Sequence, residues 1–422
     1  MTAKTIEYIM TRFTITLLAA SIISCSLQTD GVCRSRKAAD TVGGPFGWAV
    51  CTSLDDAGSF NLNGGAAAGN RKAILKSNGG DMSEAIENAI KENDVIVLDG
   101  SNGTFLMSRA VILTGVDNKT VYGINNAVLQ TSFYLSSELQ ARFDEADLEH
   151  RNPKTSQEPL ILSNGKRCKN ERTFVSSQII MDYTQDPSEA WLKSGCFWLY
   201  TCSNWIIRNL TMIGPGSMSN GRTGDVLTLS KKCTHIWIDH CVINDGLDGN
   251  LDVNTESDFI TVSWCRLNYT DRSYAHRLCS LVGGNVNTLD VGHLNITYAY
   301  CVWPDCEKGV SRQPMVRYGH AHIYNCYYPS KRSGTLIHAR DGSHMRIENN
   351  YFANCGKYFA DSLSCACANI GNYTAKPFSP VDKGEIFSPP YKYKAADAME
   401  VPDIVFGRFG TGATLALDEN SY

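Results

Sequence analysis

The sequence predicts an all-β protein, a parallel β-helix (solenoid) in which short strands of successive coils stack on one another. Three observations predict it. Similar strand-like segments recur about every 24 residues, they are aliphatic and aromatic without a helical period, and turn residues separate them. The chain of 422 residues, with 43% hydrophobic and 19% charged residues, is long enough for a large packed core.

The repeat is clearest in one column of small side chains. The steps between its last five members are 24, 36, 25 and 24 residues, so one repeat holds an insertion. Equivalent residues of neighbouring coils should stack at about 4.8 Å. We therefore expect an internal ladder, rather than a zinc or catalytic site, from the column Leu210, Cys241, Cys265, Cys301, Cys326 and Asn350.

The N-terminal residues 1–25 have the features of a secretory signal peptide. Arg12 precedes the apolar run 13–24, which is too short to span a bilayer. Residues 26–79 are expected to form an N-terminal extension. Export, and with it glycosylation and disulfide formation, would suit the 16 cysteines and the sequons at Asn102, Asn118, Asn209, Asn268, Asn295 and Asn372. Asn209 and Asn295 lie in strand-like segments, where a structural role for the side chain is equally favoured.

The β-helix domain is expected to span residues 80–410, with a charged surface insertion at about 131–193 and a C-terminal tail at 411–422. A helix at 81–93, with Asp81 and Glu84 as a capping box, should cap its N-terminal end, and a buried strand should follow directly. The chain beyond Cys367 should pack back along the outside of the coils. The cysteines favoured for disulfides, with connectivity open, are Cys33, Cys51, Cys168, Cys196, Cys202, Cys365 and Cys367.

A carboxylate cluster follows from the same repeat. Asp225 lies 16 residues before Cys241, and Asp248 lies 17 before Cys265, so the two aspartates should stand on adjacent coils. Asp252 follows four residues after Asp248. A single aspartate at a turn commonly bonds its own backbone. Three at coil spacing favour a cation site, and hard oxygen ligands without His or Cys select Ca²⁺ or Mg²⁺.

Two arginines belong to the same sector of the coil. Arg312 lies 14 residues before Cys326, and Arg317 follows it by five. A divalent cation beside guanidinium groups is suited to binding a polycarboxylate. The net charge of −4 argues against nucleic acid as a partner, and no later segment has the length and apolarity of a membrane helix.

These residues resemble a known family. The segments GDVLTLSKKCTHIWIDHCVINDGLDGNLDVNTESDFITVSWCRL and RQPMVRYGHAHIYNCYY are similar to the pectate lyases of polysaccharide lyase family 1. LTGVDNKTVYGI, SNWIIRNLTMIGPG and VPDIVFGRFGTG resemble other coils and the C-terminal stretch of that family. The likeness covers about 80–130 and 195–410, and the 131–193 segment has no recognised counterpart.

The resemblance implies a right-handed, single-stranded parallel β-helix that cleaves pectate by β-elimination with Ca²⁺. Asp225, Asp248 and Asp252 match the family's calcium ligands, Arg312 its catalytic base and Arg317 a substrate-binding arginine. It therefore implies a secreted, calcium-dependent pectate lyase whose partner is polygalacturonate, and we expect a monomer. Because arginine is a base of very high pKa, the match also predicts an alkaline activity optimum.

The sequence departs from the family pattern near a substrate-binding lysine. Counting forward from Ser263 places Arg272 there, whereas counting back from Gly283 places Leu278 there. Arg272 is preferred because the preceding residue also matches, and Arg277 stays open. In addition, Met315 stands where the family often has arginine.

Three other functions stay open at this point. A pectin lyase would act on methyl-esterified polymer, but it would have no use for three cation-binding carboxylates. A polygalacturonase needs a carboxylate acid and base, for which no second acidic cluster is evident. A non-catalytic β-helix would bind pectate without forming unsaturated product.

Overall fold

The computed structural model describes residues 43–67, 69–132, 194–217, 224–273, 276–284, 288–304, 310–330, 336–355, 358–362, 364–378, 380 and 382–422, together with 141, 145, 155–162, 165, 167–170, 174 and 178. The predicted signal peptide (1–25) and Cys33 lie outside this part of the chain. The predicted insertion at 131–193 lies only partly inside it. Among the helices of the described residues, none has the length and apolarity needed to cross a membrane.

Three parallel sheets, here called A, B and C, form the body of the protein. Sheet A has ten strands in the spatial order Lys72–Lys76, Val95–Asp99, Lys119–Ile124, Ser203–Arg208, Thr234–Asp239, Asp258–Ser263, Ile296–Ala299, His320–Tyr324, His344–Glu348 and Ala366–Ile370. Sheet C has eight, in the order Val111–Thr114, Phe197–Tyr200, Leu227–Ser230, Gly249–Val253, Leu278–Val282, Met315–Arg317, Ile337–Arg340 and Phe359–Asp361.

Sheet B consists of two parts joined by single bridges through Val302. The first contains Phe105–Met107, Val128–Thr131, Thr211–Ile213, Val242–Asn244 and Arg266–Asn268, and the second contains Tyr327–Tyr328, Tyr351–Phe352 and Tyr373–Thr374. The chain passes through sheets A, B and C in turn before it starts the next coil. The predicted parallel β-helix is therefore confirmed.

Outside the 131–193 segment, the α-helices of the described residues are Ser83–Glu92 and Val401–Val405. Within that segment, an antiparallel pair joins Thr155–Ile161 to Arg167–Asn170. The single-turn 3₁₀ helices are Gly47–Val50, Gly100–Asn102, Thr288–Asp290 and Ala398–Glu400.

The predicted ladder of small side chains is confirmed. Cys265 Sγ accepts a hydrogen bond from the Cys241 backbone N–H at 3.4 Å, and Cys326 Sγ accepts one from Cys301 N–H at 3.4 Å. The last member of the column is an amide: Asn350 Oδ1 accepts a hydrogen bond from Cys326 N–H at 2.9 Å. All five side chains are buried. Each therefore satisfies a backbone group of the neighbouring coil.

The predicted N-terminal helix is present, but its predicted capping box is wrong. The helix begins at Ser83 with Met82 as the N-cap residue. Asp81 Oδ1 accepts from Ser83 N–H at 3.0 Å, and it also accepts from Ser108 N–H at 3.0 Å on the next coil. The carboxylate thus joins the helix to the coil, a contact that local sequence does not show. Ile86 and Ile90 are buried in the core at the end of the coils.

The disulfide prediction is wrong for Cys51, Cys196, Cys202, Cys365 and Cys367, which are buried free thiols. Some of these sulfurs form hydrogen bonds instead: Cys51 Sγ donates to the Gly47 carbonyl at 3.6 Å, and Cys365 Sγ accepts from Ser343 Oγ at 3.5 Å. Cys202 Sγ likewise donates to the Tyr200 carbonyl at 3.3 Å. Burial raises the pKa of Cys51, Cys196 and Cys367 to about 12, so these thiols stay protonated.

The C-terminal chain packs along the outside of the coils, as predicted. Leu415 N–H donates to Asn209 Oδ1 at 2.9 Å, and Asn209 Nδ2 donates to the Leu415 carbonyl at 3.0 Å. Arg208 donates to the Tyr422 hydroxyl at 2.7 Å and to Asp239 at 2.7 Å. Asn209 and Asn295 are buried, which supports the structural role expected for these two sequons.

Candidate active site

The three predicted aspartates come together at the corner where the chain enters sheet C. Asp225 lies two residues before the strand Leu227–Ser230, whereas Asp248 and Asp252 belong to the next coil, around the strand Gly249–Val253. The two strands pair in parallel, with Leu227 opposite Leu251. Residues one coil apart in the sequence, such as Asp225 and Asp248, are therefore close in space.

Strand alternation directs Asp252 to the outer face of sheet C. Its neighbours Leu251 and Val253 are fully buried and belong to the hydrophobic core. Successive side chains of a strand point to opposite faces, so the residue between them must face outward. Thr228, its partner on the preceding coil, faces outward in the same row.

Gly249 leaves space for the carboxylates to approach each other. A Cβ atom at this position would lie 2.8 Å from Asp225 Oδ1 and 3.1 Å from Asp252 Oδ1. These two oxygens are therefore less than about 6 Å apart. Any larger residue at position 249 would fill the space between the carboxylates.

Asp225 has one oxygen that the protein does not satisfy. Its Oδ2 accepts from Thr228 Oγ1 at 3.1 Å. Its Oδ1 is buried and, within the described part of the chain, accepts no hydrogen bond of normal geometry. An unpaired buried acceptor of this kind is costly and suggests a missing ligand.

The electrostatics of the corner point the same way. Burial, followed by the charge of Asp248, raises the pKa of Asp225 to about 7. Burial, followed by the charges of Asp225 and Asp248, raises the pKa of Asp252 well above its usual value. Arg312 lowers both pKa values, but its effect is smaller than that of burial. The corner would therefore gain from a further positive charge.

His276 is a site residue that the sequence did not reveal. Its Nε2 lies 2.7 Å from Asp248 Oδ1, and its side chain is partly exposed to the groove. It follows the inserted segment after sheet B, where counting from either side chose other residues. Only the folded chain brings it to Asp248.

The two predicted arginines line the groove beside the aspartates. The Arg312 carbonyl accepts from Ser280 N–H at 2.8 Å, which fixes its backbone beside the preceding strand of sheet C. Arg317 Nε donates to Asp341 Oδ2 at 2.8 Å, and its NH1 donates to the Gly283 carbonyl at 2.8 Å. Arg317 is thus held in place by the protein.

Arg272 and Arg277 are the candidates for the family's lysine position. Arg272 is partly exposed in a turn that Asp245 organises by accepting from Ser273 Oγ at 2.7 Å. Arg277 is buried and donates to the Ser273 carbonyl. Neither belongs to the described lining of the groove, so a substrate role for either stays a prediction.

The groove measures about 400 Å³. Its lining combines acidic, basic and apolar side chains. Its described lining consists of Asp248, Asp252, His276, Leu278, Leu281, Gly284, Arg312 and Arg317.

The oxygen donors of this corner fit a hard divalent cation. Within the described residues, no three acidic, His or Cys side chains form a complete metal-binding group by themselves. The unpaired Asp225 Oδ1 and the facing Asp252 Oδ1 nevertheless offer negative charge to a cation beside Gly249. Ca²⁺ takes six to eight oxygen ligands, so waters and substrate carboxylates would complete its shell.

Comparison with solved structures places the chain in the class of parallel β-helix proteins. A pectate lyase from a Bacillus species, solved in complex with trigalacturonate, superimposes with a TM-score of 0.57 at 18% identity and covers 88% of this chain and 99% of its own. The Bacillus subtilis pectate lyase, solved as a mutant, gives 0.54 at 17% identity over 91% and 100% of the two chains.

The family is shown by sequence. The family model described as pectate lyase matches residues 159–390, which is more than half of the chain. The chain belongs to the pectate lyase family.

Fungal pectate lyases are among the curated relatives. Pectate lyase A of Aspergillus niger is 30% identical over 220 residues, covering 50% of this chain and 63% of the relative. The probable pectate lyase B of Aspergillus oryzae is 35% identical over 178 residues, covering 39% and 50%. The chain thus spans less than two thirds of the length of the curated relatives it matches.

Proposed function

We propose that this protein is a secreted, calcium-dependent pectate lyase that cleaves (1→4)-α-D-galacturonan by β-elimination and releases unsaturated oligogalacturonides. The observation that carries the proposal is the corner beside Gly249. There, a buried Asp225 oxygen that accepts no hydrogen bond of normal geometry from the described residues faces Asp252, with Arg312 on the next coils of the same groove. Membership of the pectate lyase family supports the same reaction.

Asp225, Asp248 and Asp252 would hold the calcium ion. When bound, calcium would withdraw charge from the carboxylate of the sugar that loses its proton, making that proton more acidic. The three carboxylates gain from the ion because it cancels the repulsion that raises the pKa values of Asp225 and Asp252. Asp248 would exchange its contact with His276 for the ion.

Arg312 would act as the base that removes the proton from C5 of galacturonate. The electrons of the C5–H bond then form the C4–C5 double bond, and the bond from C4 to the glycosidic oxygen breaks. The leaving oxygen takes a proton from water. Arg317, whose Nε and NH1 groups donate to Asp341 and to the carbonyls of Gly283 and Gly284, would orient a neighbouring carboxylate through its remaining NH2 group. Arg272 stays the predicted further contact, with Arg277 as its alternative.

The proposal is tested with polygalacturonate and the full chain. Unsaturated uronate absorbs ultraviolet light, so its formation is followed directly, with added Ca²⁺ and with excess chelator. We expect product only with Ca²⁺, and a rate that rises at alkaline pH. Binding of polygalacturonate without product would instead identify a non-catalytic pectate-binding protein, and activity that survives the chelator on methylated substrate would identify a pectin lyase.

A further inference from the structure

A second pocket lies at the edge where two strands of sheet A begin, separate from the proposed catalytic groove. It measures about 390 Å³, close to the volume of the groove, and the described linings of the two share no residue. Its walls come from the N-terminal extension, from sheet A and from the C-terminal chain. The lining includes Trp48, Asp55, His320, His344, Glu385 and Phe387.

Two imidazoles lie next to each other in this pocket. His320 and His344 are the first residues of neighbouring strands of sheet A, and the register places them opposite each other. Their ring centroids are 4.8 Å apart. Two imidazoles bound to one ion at about 2.0–2.1 Å, with a ligand angle of roughly 90–110°, have centroids about 4.5–5.2 Å apart. The observed separation lies within that interval.

The proton of the His320 ring is assigned by its neighbour on the preceding coil. His320 Nδ1 lies 2.8 Å from Asn295 Oδ1, and the same oxygen accepts from the His320 backbone N–H at 3.2 Å. An amide oxygen has no proton to donate, so Nδ1 carries the ring proton and Nε2 keeps its lone pair. Metal-binding histidines are usually oriented by a hydrogen bond of this kind. The buried Asn295 is thus a positioning residue for His320.

Aromatic rings surround the His320 imidazole. Phe387 meets it edge-on with 5.1 Å between ring centroids, and Trp48 lies 6.3 Å away. Burial, followed by the charge of His344, lowers the pKa of His320 to about 4. A protonated imidazole does not ligate a metal, so the low pKa keeps Nε2 available at neutral pH.

Two carboxylates line the same pocket from the two ends of the chain. Asp55 belongs to the N-terminal extension and Glu385 to the C-terminal chain, and both are exposed. Within the described residues, neither forms a three-membered metal-binding group with the histidines. The two imidazoles and water molecules would therefore hold an ion, and the carboxylates would attract it and bind its waters.

These nitrogen donors select a different class of cation from the carboxylate corner of sheet C. Imidazole suits Zn²⁺, Cu²⁺ and Ni²⁺, whereas Ca²⁺ and Mg²⁺ prefer oxygen ligands. We propose that His320 and His344 form a binding site for a divalent transition-metal ion, represented by Zn²⁺. The site is independent of the proposed lyase function. An ion bound there would join two neighbouring coils and, through its waters, the N-terminal extension and the C-terminal chain.

The first test uses the unaltered full chain in saturating Ca²⁺, which fills the carboxylate corner. Equilibrium dialysis against Zn²⁺ should find one ion per chain. With Cu²⁺ in its place, electron paramagnetic resonance should show coupling to the nitrogens of two imidazoles. Absence of stoichiometric binding, or a Cu²⁺ spectrum with fewer than two imidazole nitrogens, overturns the proposal. Neither measurement depends on whether a variant folds.

The second test removes one imidazole at a time. His320→Gln and His344→Gln should each raise the Kd for Zn²⁺ by about tenfold or more, because each leaves a single protein ligand. The matched control is His293→Gln, whose side chain is 40% exposed and lies outside the described lining of the pocket. Zn²⁺ should raise the unfolding temperature of the unaltered protein and of this control, but not of His344→Gln.

His276 provides the competing location for the ion, since it lies beside Asp248 in the groove. Zn²⁺ binding that His276→Gln abolishes and His344→Gln leaves intact would place the ion in the groove and overturn the proposal. Formation of unsaturated uronate, followed in the same samples, tests the lyase function separately. Its absence would leave the Zn²⁺ stoichiometry and the effect of His344→Gln as evidence for the site.

Discussion

Two columns of stacked side chains run along the same coils. Stacking stabilises the fold in one column and destabilises it in the other. In the column Cys241, Cys265, Cys301, Cys326 and Asn350, every member is neutral and buried, and the backbone N–H groups of Cys241, Cys301 and Cys326 donate to the next member. At the corner of sheet C, carboxylates from adjacent coils stack instead. There a buried oxygen of Asp225 accepts no hydrogen bond of normal geometry from the described residues, and the pKa of Asp225 rises to about 7.

The difference teaches how one repeat serves two purposes. A coil repeat brings equivalent positions together whatever residues occupy them. Neutral groups that satisfy each other then stabilise the fold, whereas like charges destabilise it unless a ligand binds. A repeated position that opposes folding is therefore a better indicator of function than one that supports it.

The largest expected effect comes from Arg312, which belongs to the charged corner alone. Arg312→Lys keeps the positive charge but replaces the planar guanidinium with a point charge on a different stem. If Arg312 removes the C5 proton, kcat should fall by roughly 10²–10⁴-fold, the usual range for a general base. Initial rates on polygalacturonate at saturating Ca²⁺ measure this.

The control for Arg312→Lys is Arg266→Lys, an exposed arginine on sheet B that packs over Phe406. It should leave kcat unchanged. Near-normal activity of Arg312→Lys would remove Arg312 from the mechanism and would leave the corner as a binding site only.

The second effect concerns the cation. Asp252→Asn removes one charge from the corner while nearly preserving side-chain size. The Ca²⁺ concentration for half-maximal activity should rise by about tenfold or more, because ligand charge sets calcium affinity. Calcium titration of the initial rate measures it, with Asp403→Asn, on the surface of the C-terminal helix, as the control. Equal calcium dependence of both variants would contradict the proposed ligand.

The third prediction is a substitution at the site that stabilises the protein, whereas most substitutions of packed residues destabilise it. In chelator, Asp225→Asn should unfold at a higher temperature than the unaltered protein at neutral pH, since it removes a repelling charge of which one oxygen is buried. The folded pKa of Asp225, about 7, exceeds the ordinary value of 3.8. The folded state therefore holds the proton more tightly, so this residue lowers stability as pH rises through that window, by a few kcal/mol in total.

Thermal unfolding across pH in chelator checks the third prediction. The unaltered protein should lose more stability between mildly acidic and neutral pH than Asp225→Asn does. Added Ca²⁺ should raise the unfolding temperature of the unaltered protein only. Parallel pH profiles for the two proteins would mean that the Asp225 carboxylate is relieved by another route.

The sequence predicted the parts of both columns that depend on spacing alone. The 24-residue period placed Cys241 beside Cys265, and it also placed Asp225 on the coil next to Asp248. The same period placed Arg312 in the sector of Asp252, and in the structure Arg312 precedes the strand Met315–Arg317 of sheet C. Solenoid coils repeat with fixed register, so sequence distance translates directly into position.

The parts that sequence did not predict depend on contacts outside the period. His276 follows an inserted segment, so no count from the column reaches it, and only its 2.7 Å contact with Asp248 places it at the site. Asp341, which holds Arg317, comes from the following coil. The expected disulfides failed because some of the cysteine sulfurs form hydrogen bonds instead, as Cys202 does with the Tyr200 carbonyl.

The smallest expected effect tests the neutral column. Cys265→Ala leaves the Cys241 N–H without its acceptor and opens a small cavity, so stability should fall by about 1–2 kcal/mol. Cys265→Ser keeps an acceptor there and should lose less. Denaturant unfolding measures both, and activity below the unfolding transition should be unchanged. Cys265→Ala should lower the stability of the protein, and Asp225→Asn in chelator should raise it, because the first column stabilises the fold and the second destabilises it. A loss of activity in Cys265→Ala at unchanged stability would instead give the thiol column a functional role.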